Sequence, residues 1–72
     1  MFWWYRIAKN YCDDVVCNAG RVVVKSANKE NANKILNSLE KILARKNGRY
    51  YYLCPKIHGP YSSKKEAEKA ED

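Results

Sequence analysis

The chain has 72 residues, with 14 Lys plus Arg against 8 Asp plus Glu, which gives a formal net charge of +6. A domain of this size buries only about 60% of the surface that its unfolded chain exposes, which argues against a walled catalytic cavity and so against a multi-step or large-substrate enzyme. The 46% of hydrophobic residues and the six Tyr, two Trp and one Phe argue against a disordered chain despite 31% charged residues.

Phe2 to Ala8 reads as a strand of bulky residues, with Trp3, Tyr5 and Ile7 on one side and Phe2, Trp4, Arg6 and Ala8 on the other. Lys9 to Gly20, with its Cys, Asp and Asn residues, reads as a long connection that ends in a turn at Asn18-Ala19-Gly20. Arg21 to Lys25 alternates as a second strand, with Val22 and Val24 toward a core. Ser26 or Asn28 caps a long helix whose Ala32, Ile35, Leu36, Leu39, Ile42 and Leu43 recur at the 3.6-residue period. Arg45 and Lys46 suit the negative end of its dipole, Gly48 stops it, and Lys34, Lys41 and Arg45 form a basic face opposite the apolar stripe.

Arg49 to Cys54 is the third strand, and Pro55 and Gly59-Pro60 impose a turn region after it. Ser63-Lys64-Lys65-Glu66 has the spacing of a capping box and starts a short last helix. With only Ala67 and Ala70 as apolar contacts, that helix is expected to dock loosely and fray toward Asp72. The expectation is one α+β domain over residues 1–72: a small antiparallel three-stranded sheet, one long helix on a face and a short C-terminal helix, in the order ββαβα. No run approaches the roughly 18 apolar residues of a membrane span, and Arg6 interrupts the apolar start, so the expected location is cytoplasmic, with no membrane partner. Abundant Lys, Asn and Tyr with no Thr or Gln suggest an AT-rich coding sequence, compatible with a virus or phage as well as with a host gene.

All three Cys and the single His fall into two pairs, Cys12 with Cys17 and Cys54 with His58. Four thiolate and imidazole ligands in two close pairs suit one structural zinc, which would also staple a small domain, provided that both pairs meet at one end of the sheet. The competing reading is that Cys54 is an ordinary core residue and His58 a solvated turn residue. An odd cysteine count leaves one thiol over from any internal disulfide. The only enzymatic arrangement in the sequence, a Cys and His pair oriented by Asp13 or Asp14, has little room for a substrate, so the protein is read as non-catalytic.

Basic and aromatic residues share the strands. Trp4, Tyr50 and Tyr52 are candidates for stacking on bases, with Phe2 and Trp3 as further contact residues, while Arg6, Arg21, Lys25 and Arg49 are candidates for contacting phosphates. Lys46-Asn47-Gly48-Arg49-Tyr50-Tyr51-Tyr52 resembles the aromatic sheet motif of RNA-recognition domains, although here two strands rather than one precede the helix. Gly59-Pro60-Tyr61-Ser62-Ser63-Lys64-Lys65-Glu66-Ala67 resembles the strand-to-helix junction of septal peptidoglycan-binding SPOR domains, which implies an exported protein, whereas this chain shows no export signal.

Two functions follow as expectations. One is a module that binds nucleic acid, or a nucleic-acid-loaded complex, through a basic, aromatic sheet face. The alternative is a virus-type or phage-type protein inhibitor, or another protein-interaction module, that presents the N-terminal aromatics from Phe2 to Tyr5, with Trp3 and Trp4 among them, to an acidic protein surface. Homodimerisation through the aromatic strand is compatible with either.

Overall fold

Asp13 and Asp14 both adopt left-handed backbone, with φ of 45° and 65°. Two consecutive residues of that kind make the tight turn that suits the twist of paired strands, and Asp accepts the conformation more readily than most side chains. In the computed structural model, which describes residues 1–48 and 50–71, this turn joins β1 (Phe2–Cys12) to β2 (Val15–Ser26) as one long antiparallel hairpin. The segment from Lys9 to Gly20, expected as a connection, is therefore mostly ladder. Its pattern hid this because residues 11–20 are all exposed, so no core selects apolar residues on alternate positions.

The turn expected at Asn18-Ala19-Gly20 is instead an irregularity within β2. Ile7 pairs with Arg21 and Lys9 with Asn18, so Ala19 and Gly20 together face Ala8 as a β-bulge, with Gly20 at φ 85°. Helix α1 (Lys29–Asn47) follows, with Asn28 as its cap: the Asn28 side chain accepts from the Asn31 amide at 2.8 Å. Ser26 is the buried end of β2. At the far end the Gly48 amide donates to the Ala44 carbonyl.

The other edge of β1 takes two short strands in succession. β3 (Tyr51–Leu53) lies against Ala8 to Asn10, and β4 (His58–Tyr61) lies against Trp3 to Tyr5, both antiparallel. The Cys54 amide, donating to the Ile7 carbonyl at 2.7 Å, continues the ladder between them. Only one strand was expected here. Pro55 lacks a donor, so the sequence reads as ending at Cys54, yet pairing resumes three residues beyond the proline. Arg49, the expected start of the third strand, lies outside the described residues.

The architecture is α+β, with an antiparallel sheet, α1 on one face and the short α2 (Lys64–Lys69) on the other. Trp4, Ala8, Val24, Tyr51 and Leu53 meet Ala32 and Leu36 of α1 in the main core, and the Trp4 indole N–H donates to the Ser26 carbonyl. On the opposite face Tyr5 is fully buried. His58 stacks on its ring at 4.6 Å and the Arg21 guanidinium lies 4.2 Å from its centroid. Arg21 also donates to the Ala67 carbonyl at 2.8 Å, which ties α2 to the sheet. Ser63 caps α2 as expected, but the returning Glu66 carboxylate accepts from the Ser62 amide and hydroxyl. Ala67 is fully buried and Ala70 half-buried, the two apolar contacts expected of this helix, while Asp72 lies outside the described residues.

Gly59 sets the approach of β4 to β1. It has φ 142°, and a Cβ there would lie 2.7 Å from the Trp4 ring and 2.9 Å from the Trp3 carbonyl. A Gly59→Ala variant should therefore lose about 2 to 3 kcal/mol of stability. The measurement is a urea unfolding curve, in which the midpoint falls and the slope stays the same.

Candidate nucleic-acid interface

The residues proposed for a binding face separate into three places. Trp4 and Arg6 belong to the interior, each only 6% accessible. A stacking role for Trp4 and a phosphate contact by Arg6 need free surfaces that neither side chain presents. The indole is packed against α1, and each nitrogen of the guanidinium donates to an acceptor within the protein. Arg6 Nε donates to the Cys54 carbonyl at 2.6 Å and Nη2 to the Leu53 carbonyl at 3.1 Å. Nη1 donates to the side-chain oxygens of Asn37 at 2.6 Å and Asn33 at 3.3 Å. A planar fork with fixed donor directions suits four such acceptors, and burying the charge is tolerated because so many dipoles point at it. The sequence signal for this role was Asn33 and Asn37 at helical spacing on the flank of the apolar stripe.

Phe2, Trp3 and Lys25 lie together at the start of β1. Lys25 pairs with Trp3 across the hairpin, its Nζ lies 5.7 Å from the ring centroid, and Phe2 remains exposed. Arg21 is half-buried and engaged by Tyr5 and Ala67.

Tyr50 and Tyr52 gather at the opposite end, about 23 Å or more along β1 from Phe2, and here the structure adds a residue of the segment expected as a connection. Tyr11, near the end of β1, brings its ring to 6.3 Å from that of Tyr50 at an interplanar angle of 56°. Tyr11, Tyr50, Tyr51 and Tyr52 line an open hollow of about 420 Å³. Tyr11, Tyr50 and Tyr52 are 46%, 53% and 38% exposed, whereas Tyr51 is buried and belongs to the main core. Burial first, and the Glu40 carboxylate second, push the Tyr51 hydroxyl above its ordinary pKa, so it stays neutral.

Two backbone features hold the rings in place. The Tyr51 amide donates to the Gly48 carbonyl, and Glu40 accepts from the Leu53 amide at 2.6 Å, which pins β3 to α1. Lys9 stands directly across from Tyr52 and so shares its face of the sheet, and the last turn of α1, which leads to Tyr50, carries Arg45 and Lys46. The Asp13-Asp14 turn was the signal for Tyr11: read as a hairpin, it folds residues 9–12 back along β2 and beside β3.

The four expected metal ligands do not converge. Cys12 and Cys17 are neighbours near the hairpin turn, both exposed, while Cys54 lies level with Ile7 and His58 with Tyr5. Five residues of β1 separate the level of Cys54 from Cys12, about 16 Å, so the two pairs lie at different levels of the sheet. Among the described residues no group of three or more His, Cys, Asp or Glu is placed to hold a metal ion. A hydrogen bond to Cys17 is the main cause that raises the Cys12 pKa, with smaller contributions from desolvation and from the charges of Cys17 and Asp13.

The chain matches no family model, no curated protein and no solved structure. Among the described residues no helix is long and apolar enough to cross a membrane.

Two measurements check these assignments. Arg6→Ala should cost about 3 kcal/mol or more in chemical denaturation, because it leaves buried acceptors unpaired, and Arg6→Lys should recover only part of that, since an ammonium cannot span the fork. The pH at which Cys12 becomes half-reactive toward iodoacetamide should lie above that of an ordinary thiol, and Cys17→Ala should bring it back down, because only the thiolate reacts.

Proposed function

We propose that the protein is a non-catalytic module that binds single-stranded nucleic acid at the tyrosine-lined end of its sheet. The observation that carries this reading is the exposure of the Tyr11, Tyr50 and Tyr52 rings around one open hollow, beside Lys9, on a chain of net charge +6. Large rings are normally buried for their apolar area, and three left accessible around a hollow provide faces on which unstacked bases can lie. The lysines and arginine at the end of α1 and on β1 supply the complementary charge for the phosphates between those bases. A volume of this order also suits one or two bases rather than an extended duplex.

This reading moves the contact surface away from the middle of the sheet. Both faces there are covered, by α1 over Trp4 and by α2 over Tyr5. Of the residues first considered for binding, Tyr50 and Tyr52 keep their stacking role, and Lys9 and Tyr11 join them. Phe2, Trp3 and Lys25 lie too far away to touch the same few nucleotides.

The test is fluorescence anisotropy with mixed-sequence single-stranded DNA and RNA oligomers over a range of salt. Affinity should fall steeply with salt, and alanine at Tyr11, Tyr50 or Tyr52 should weaken binding roughly tenfold per ring, while phenylalanine should preserve it. Binding that ignores salt, or that survives the triple alanine variant, contradicts the proposal. So does an absence of binding to either oligomer.

A further inference from the structure

A second surface, on the opposite side of the hairpin, has a different chemistry. β2 is twelve residues long and pairs along one edge with β1, and among the described residues no strand pairs with its other edge. An unpaired edge presents alternate backbone N–H and C=O groups outward, and a further strand satisfies them. Of the devices that blunt such edges, this one has the bulge at Gly20 and the charged Arg21 and Lys25, but Arg21 to Ser26 contains no proline and among the described residues no strand covers it.

The two helices frame this edge. An open groove of about 560 Å³ is lined by Arg21, Val22 and Val23 of β2, by Leu39 and Leu43 of α1, and by Lys64 and Glu68 of α2. Since α1 and α2 lie on opposite faces of the sheet, a groove that touches both runs around the rim of β2. The α1 side is apolar beyond what the sheet covers. Leu39 and Leu43 are only partly buried, and Ile35 and Ile42, within about 60° of Leu39 around the helix, are exposed. The α2 side of the groove carries Lys64, which pairs with Glu68 at 3.9 Å, and the exposed Lys25 lies further along the same face of β2, while Arg21 is engaged by Tyr5 and Ala67.

We infer that the β2 edge is a docking site for an extended segment of another protein, added to the sheet as a strand with apolar side chains toward α1 and acidic side chains toward α2. A strand's side chains alternate between faces, so one added segment meets both chemistries at once: Val22, Leu39, Leu43 and Ile42 on one side, and Lys25 and Lys64 on the other. Charge favours this occupant over a second copy of the chain. Each copy carries +6, and antiparallel self-pairing centred on Val23 sets Arg21 directly against Lys25, a like-charge pair that destabilises a ladder. The tyrosine hollow lies along the other edge of β1, so the two surfaces can be occupied together, and this site does not depend on the nucleic-acid reading.

The probe is a capped heptapeptide alternating valine and glutamate, titrated into isotope-labelled full-length protein at about 0.15 M salt, near physiological ionic strength. Amide exchange in Arg21 to Ser26 should slow, while the signals of Tyr11, Tyr50 and Tyr52 stay in place. A peptide N-methylated at alternate residues along its pairing edge should bind roughly tenfold more weakly, since it loses backbone hydrogen bonds worth about 1 kcal/mol each. A peptide with lysine in place of glutamate should not bind. On the protein, I42D and K64E alter exposed side chains, and each should weaken binding several-fold with unfolding midpoints near that of the parent. The inference is overturned if the heptapeptide does not bind, if the N-methylated peptide binds equally well, or if the free protein sediments as a dimer with these amides already protected.

Discussion

The fold depends on a single buried guanidinium. Arg6 lies in the central strand, and its fork reaches α1 through Asn33 and Asn37 and the β3–β4 segment through Leu53 and Cys54. Two parts of the chain that are far from it in sequence are thereby held at fixed distances from β1. A domain of this length has a small apolar core, and within it an unpaired charge would cost several kcal/mol. The charge is acceptable because each nitrogen of the fork finds an acceptor, so the site rewards one arrangement of α1, β1 and β3 and penalises others. The Glu40 carboxylate, accepting from the Leu53 amide, adds a second link between the same elements.

Arg21 has a related role on the other face, though by a different interaction. Its guanidinium lies over the Tyr5 ring and donates to a carbonyl of α2, which seats a helix of six residues that has only Ala67 as a buried contact. Cations over aromatic rings gain most where water is excluded, as around the fully buried Tyr5. Two of the four cations that look like phosphate ligands in the sequence are therefore structural. The accessible surface that remains on the sheet itself is divided among the hairpin end, the start of β1 and the edge of β2. A chain with so few residues cannot cover every face of its sheet, and the uncovered parts are where partners can reach it.

Much of the fold was legible in the chain. The stripe from Ala32 to Leu43, the Gly48 stop and the Ser63 cap each reflect a local rule, and local rules are satisfied within a few residues. The alternation around Val22 and Val24, and that around Trp4 and Tyr5, were legible because a core faces those positions on each side. Legibility ended where no core selects the pattern. Lys9 to Gly20 forms a ladder out in solvent, so its polar residues looked like a loop, and Gly20 marked a bulge where a turn was read. Pro55 concealed β4 because the pairing is interrupted and then resumes. The candidate site suffered in the same way, since Tyr11 could not be joined to Tyr50 until the hairpin was recognised.

What the sequence by itself determined is the inventory: a basic chain with one amphipathic helix, alternating strands, and aromatic residues in excess of what one small core can bury. The tertiary structure decided which of those residues are available. Trp4 and Arg6 differ little from Phe2 and Lys25 in a linear reading, yet the first two are interior and the last two exposed. Availability depends on what packs against a residue, and those neighbours come from segments 20 to 50 positions away, as Arg6 with Asn33 and Cys54 shows. The same reason separates Cys12 and Cys17 from Cys54 and His58. Their pairing along the chain is a fact of spacing, whereas their separation in space is set by the residues of β1 that lie between their levels.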